Sequence, residues 1–180
     1  MSRPNRPVPI PILIGVVLLL LANMVMIFSF SSESREESGD RSRAVTTAIA
    51  RLLHPSFDEW TAEEQTAAVE NIHGAVRKTA HFLEYALLGF LSTGLLLLLL
   101  RHGWLKLPGL YVWLIPALFC LLYAATDELH QMFADRGAQV RDVVLDFCGA
   151  LFGIGCLQLL AWGGSARRAR SGEEREVERV

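Results

Sequence analysis

Apolar residues come in four long runs along this chain, and the segments between them are polar. The first run, Ile10–Phe28, is 19 residues without a charge, enough to cross a hydrocarbon layer as a helix. Others follow at Thr79–Leu100, which closes on six consecutive leucines, at Leu110 to about Thr126, and at about Val143 to Trp162. Pro116 inside the third run predicts a kink. Asn23 inside the first is read as a helix–helix hydrogen bond. The pattern predicts an all-α polytopic membrane protein with four transmembrane helices.

Residues 29–77 form a polar insert between the first two spans. Its Ser- and Glu-rich start, through Gly39-Asp40, is expected to be a loop. Val45, Ile49, Leu52 and Leu53 then recur at helical spacing and predict a short amphipathic helix ending before Pro55. Ser56-x-x-Glu59 and Thr61-x-x-Glu64 both have capping-box form and mark a second helix start. The chain thus divides into an N-terminal tail and first span (1–28), the insert (29–77), a core of three spans (78–162) and a tail (163–180) expected to be disordered.

Charge sets the expected orientation. Arg3 and Arg6 precede span one, Arg101 and Lys106 lie between spans two and three, and Arg167, Arg168 and Arg170 follow span four. The positive-inside rule makes that side, and both termini, cytoplasmic. The insert carries Arg35, Arg41, Arg43, Arg51 and Arg77 against nine acidic residues, and is expected outside. The basic, apolar start also suits a signal peptide, but the run is longer than a usual signal core and its flank is a poor cleavage site, so a retained anchor is expected.

Composition narrows the function. Apolar residues make up 52% of the 180-residue chain and its formal net charge is −2. With no phosphate-cradling glycine loop and no interleaved basic and aromatic residues, no nucleic-acid partner is expected. Cys120, Cys148 and Cys156 all lie in apolar runs and read as packing residues, without disulfide or zinc spacing. No cofactor and no metal are expected.

Two clusters of ionisable residues lie at span ends, where a charge near hydrocarbon is costly and marks a functional candidate. On span two, Lys78, His81 and Tyr85 share a face, with Glu84 adjacent. On span three, Tyr123, Asp127, His130 and Gln131 line one face if the helix continues past Thr126; Glu128 lies off that face and His130 at its edge, and one or both are expected toward solvent. On span four, Asp142, Asp146, Gly149 and Gly153 recur at i, i+4, i+7 and i+11, and the glycines offer a surface on which another helix can approach closely. Arg136 sits in the turn sequence Asp135-Arg136-Gly137.

If the clusters meet, three uses compete. Lys78, Arg136 and Arg141 could neutralise Asp127, Glu128, Asp142 and Asp146 as a charge lock that fixes helix packing. A histidine among carboxylates could perform acid–base catalysis on a lipid-linked or cell-wall substrate. The pocket could instead bind or transport an amphiphile, or couple to protons.

The set Lys78-x-x-His81-Phe82-x-Glu84-Tyr85, Asp127-Glu128-Leu129-His130-Gln131 through Arg136-Gly137, and Arg141-Asp142 through Asp146 and Gly149 resembles the VanZ-like family of bacterial membrane proteins. The serines after Phe28 resemble it too, and the likeness covers roughly residues 12–160. It implies a small multi-span protein of a family whose founding member is associated with teicoplanin resistance. The positions it carries over are Lys78, His81, Phe82, Tyr85, Asp127, Glu128, Gln131, Arg136, Asp142, Asp146 and Gly149. Two departures stand out: Asp146 where the family often has asparagine, and Ala134-Asp135 where proline and glycine are more usual.

The combined expectation is a multi-pass bacterial cell-membrane protein with an outward-facing polar pocket that affects glycopeptide or lipoglycopeptide sensitivity. His81, Asp127, Glu128 and Asp142 are the catalytic candidates; Lys78, Tyr85, Gln131, Arg136 and Asp146 are the ligand-binding ones. The lipid bilayer and an amphiphilic or cell-wall ligand are the expected partners, with a homo-oligomer left open.

Overall fold

A segment inside a bilayer must satisfy its own backbone hydrogen bonds, and all four apolar runs do so as helices. The computed structural model describes residues 10–33, 35–133 and 139–177. Its helices are α1 (Ile10–Ser31), α2 (Arg35–Leu53), α3 (Ala62–Arg101), α4 (Tyr111–Phe133) and α5 (Val140–Val177), with one 3-10 turn at Phe57–Glu59. No strand occurs among the described residues. Helices α1, α3, α4 and α5 are long and apolar enough to cross a membrane, as the hydrophobic pattern predicts.

Each spanning helix buries a stripe and leaves the rest of its apolar surface outward. In α1 the buried stripe is Leu20, Asn23, Ile27 and Ser31, while Leu18, Leu19, Leu21 and Val25 face outward. The stripe packs with Tyr85 and Leu88 of α3, Cys120 and Ala124 of α4, and Ala150 of α5. Asn23 makes the interhelical bond expected of it, donating to the Glu84 carbonyl at 3.5 Å. The Tyr123 hydroxyl donates to the Met24 carbonyl at 2.7 Å and joins α4 to α1.

The closest contact joins α3 and α5, which run in the same direction. A Cβ at Gly149 would collide with the Phe82 backbone, one at Gly153 with Ala86, and one at Gly89 with Ala150. These are backbone collisions, so rotamer changes cannot relieve them. Phe82 and Phe152 flank the contact with ring centroids 5.6 Å apart.

Three elements depart from the expected boundaries. The serine-rich start of the insert is helical from Arg35 onward rather than a loop to Asp40. Glu36 lies in its first turn, where the helix dipole favours an acid, and its later residues Thr46 and Ala50 are buried. Second, Ser56 makes no side-chain cap bond and opens only the 3-10 turn. That turn is closed by the Gln65 amide, which donates to the Phe57 and Trp60 carbonyls. Third, the capping box that does form, Thr61 with Glu64, starts a single 40-residue helix that runs through span two. Nothing between Val76 and Thr79 breaks backbone hydrogen bonding; only composition changes there. Likewise α4 continues past Thr126 to Phe133, and α5 stays helical to Val177, over a tail without proline.

At about 1.5 Å per residue α3 is about 60 Å long, so about 25 Å of it stands beyond the apolar part. Helix α2 packs antiparallel on this extension. Ala50, Phe57 and Val69 form a small core there, with Trp60, Ala68 and Ile72 against it. His73 lies between Ser42 and Thr46, and Arg43 pairs with Glu70 at 2.6 Å. The result is a helical hairpin standing on one end of the bundle. At the other end α3 closes with Gly103 at φ 77°. Gly103 N–H bonds to the Leu100 carbonyl and Trp104 N–H to that of Leu99, the Schellman arrangement, which favours glycine.

Replacing Gly149 or Gly153 by leucine is expected to force α3 and α5 apart at a cost of about 1–3 kcal/mol or more. Thermal unfolding in neutral detergent micelles should show a clear drop in midpoint for both. Gly155→Leu should behave like wild type, because nothing lies within 4 Å of a Cβ there. Unchanged midpoints in all three variants would contradict the contact.

Candidate functional site

The two ionisable clusters meet at the hairpin end of the bundle. Helix α3 contributes His81, Glu84 and Tyr85. Helix α4 contributes Asp127, Glu128 and Gln131, and α5 contributes Asp142 and Asp146. Asp127 lies within Coulombic reach of His81 and beside the Tyr85 hydroxyl, and Asp146 within reach of Asp127, Asp142, Glu128 and Glu84. The small-residue contact explains the convergence. Gly149 sits one turn beyond Asp146 on α5 and touches α3 at Phe82, beside His81; bringing those backbones together brings their polar neighbours together too.

The cluster has a buried floor and a partly open rim. Tyr85 is completely buried, Asp146 is 3% exposed and Asp127 6%. Gln131 donates to the Asp127 carboxylate at 3.1 Å. Among the described residues Asp146 Oδ1 has no hydrogen-bond partner, and the Tyr85 hydroxyl, beside the Asp127 carboxylate, makes no hydrogen bond of good geometry. At the rim, His81 Nδ1 is 3.7 Å from the Glu84 carboxylate, and both side chains keep some exposure. A histidine between two carboxylates can exchange protons with a bound group, and the floor presents acceptors to whatever donates.

Other candidates hold the frame. Glu128 is not solvated as its helical position suggests: it is 6% exposed and its carboxylate accepts the Gln139 backbone N–H, tying the end of α4 to the start of α5. His130 is half-buried, with its ring 4.6 Å from that of Phe28 and Nδ1 3.5 Å from the Ser31 hydroxyl. Both departures from solvent arise from neighbours distant in sequence: α1 packs against His130, and Gln139, just before α5, packs against Glu128. Asp142 lies in the first turn of α5, where an acid also suits the helix dipole.

Of the cations expected to neutralise the cluster, the two that are described are not in it. Lys78 and Arg141 are exposed, and among the described residues no lysine or arginine pairs with Glu84, Asp127, Glu128 or Asp146. Lys78 lies a turn above His81, outside the helix contact. Arg136 lies outside the described residues. Among those residues no three His, Cys, Asp or Glu side chains stand in a geometry that would hold a metal ion.

Two neighbours are absent from the residues singled out by pattern. Glu84 is noted only as adjacent, although its i+3 spacing from His81 places it at the rim. Ser31 donates to the Asp127 carbonyl at 3.3 Å; its signal is the stripe Asn23, Ile27, Ser31, which continues the buried face of α1 to the cluster.

Since an unpartnered buried hydroxyl costs about 1–3 kcal/mol, Tyr85→Phe is expected to hold or raise the unfolding midpoint in micelles. A drop of several degrees would mean that the hydroxyl supports the fold and is not idle.

The VanZ/LLP1 family profile matches residues 16–161. No curated protein and no solved structure matches the chain.

Proposed function

The chain belongs to the VanZ/LLP1 family, and on that footing we propose that it is a bacterial cell-envelope protein whose polar cluster engages a surface amphiphile. The phenotype would be altered sensitivity to glycopeptide or lipoglycopeptide antibiotics such as teicoplanin. One observation carries the reading: α3, α4 and α5 bring Tyr85 and the buried carboxylates of Asp127, Glu128 and Asp146 together at one end of the bundle, with Asp146 Oδ1 left unbonded and no lysine or arginine paired to them among the described residues. A lock built for packing would use its cations. Buried charges without partners cost several kcal/mol, and inside membranes such residues line sites and pathways.

In this reading the hairpin end faces out of the cell. Arg101 and Lys106 lie at the opposite end, as the positive-inside rule requires of the cytoplasmic side. Cysteine placement tests this in a variant lacking the three native cysteines. Glu36→Cys should react with a membrane-impermeant maleimide in intact cells, and Lys106→Cys only after permeabilisation. The reverse pattern would turn the site inward and remove the proposed access.

A second reading is favoured by the rim. His81 beside Glu84 and within reach of Asp127 is an acid–base arrangement suited to a lipid-linked cell-wall substrate. For both readings, expression of the wild-type chain in a teicoplanin-susceptible host should raise the inhibitory concentration. His81→Ala and Asp127→Asn should return it to the baseline of that host while the protein still accumulates in the membrane. Full activity in both variants would rule out the cluster; failure of both to accumulate would assign it to packing.

A further inference from the structure

We infer that the cluster takes a primary ammonium group, the head of an amino-bearing amphiphile, with Asp146 and Tyr85 as its contacts. This rests on the reading of the cluster as a ligand site and adds the chemistry of the ligand. Among the described residues, Asp146 Oδ1 and the Tyr85 hydroxyl are buried polar atoms without a hydrogen bond of good geometry. Both belong to the same cluster: the Tyr85 hydroxyl lies beside the Asp127 carboxylate and within Coulombic reach of Asp146. Of the two orphaned atoms, the carboxylate oxygen can only accept when ionised and the hydroxyl can accept as well. Around them stand Glu84, Asp127, Glu128 and Asp142, all within reach of Asp146.

Head-group chemistries fare differently there. A phosphate, sulfate or carboxylate would meet several like charges in a poorly screened setting and be repelled. A sugar hydroxyl could bond to one orphaned atom but would leave the charge uncompensated. A quaternary ammonium supplies charge without a donor, and its usual recognition is by an aromatic cage. A primary ammonium supplies both, with three donors on a compact charge. The partly open His81 and Glu84 at the rim give such a head group its way in, while the outward apolar faces of the helices suit its chains. The amine could belong to a bilayer lipid or to a water-borne amphiphile.

Binding to the full-length protein in neutral maltoside micelles tests the assignment, with dodecylamine, dodecyltrimethylammonium and dodecyl phosphate as probes. Wild type should bind dodecylamine about tenfold more tightly than either other probe, and Asp146→Asn should erase that preference, in keeping with the strength of a charged hydrogen bond. Tyr85→Phe should weaken dodecylamine binding severalfold; as it keeps the charge and the ring, it also serves if Asp146→Asn does not fold. Glu63→Gln, the same charge change at an exposed position, should behave as wild type. Repeating the dodecylamine titration in nanodiscs separates the sources. Weaker apparent binding in phosphatidylethanolamine than in phosphatidylcholine discs assigns the site to a bilayer aminolipid, and equal binding to a water-borne amine.

Preferred binding of dodecyl phosphate that depends on Asp146 would overturn the ammonium assignment and leave the site standing. Equal binding of all probes by wild type and both variants, with a raised unfolding midpoint in Asp146→Asn, would overturn the assignment and the site together.

Discussion

Direct backbone contact between α3 and α5 governs this molecule. In a bilayer no hydrophobic force pulls one apolar helix onto another, so association depends on how closely two backbones can pack. Gly149 and Gly153 on α5 meet Phe82 and Ala86 on α3, and Gly89 on α3 meets Ala150. Side chains at these places would hold the helices apart. Everything polar at the hairpin end inherits its position from that contact, because Asp146 and His81 lie within a turn of it.

Close packing also explains why carboxylates can be held together at this end of the bundle. The frame is over-determined by bonds from several elements. Glu128 holds the Gln139 backbone, Ser31 holds the Asp127 carbonyl, and Tyr123 holds that of Met24. None of these bonds satisfies Asp146 Oδ1 or the Tyr85 hydroxyl. The fold therefore carries an electrostatic cost that its own described residues leave uncompensated, and such a cost is a common mark of a site for something else.

The hairpin adds a second theme. Because α3 is one continuous rod, the packing of α2 on its outer half and of α5 on its inner half act on the same helix. His73, between Ser42 and Thr46, and His81 are about two turns apart on that rod. The extension thus continues from the cluster end of α3, with its small core of Ala50, Phe57 and Val69 about three turns beyond His81.

Much of this was legible in the residues. The uninterrupted apolar runs, their lengths and the Gly149–Gly153 spacing determine four spanning helices and one close helix contact, since hydrophobicity and helical period are local properties. The signature positions around His81, Asp127 and Asp146 likewise announce the VanZ/LLP1 family, and Thr61 with Glu64 announces the start of α3. Tertiary structure alone decided which charges are paired. It covered Glu128 with Gln139 and half-buried His130 against α1, left Lys78 and Arg141 outside, and brought Ser31 and Glu84 to the cluster. Whether a charge finds a partner depends on neighbours distant in sequence, and helical spacing gives the face a residue occupies but not what another helix places against it.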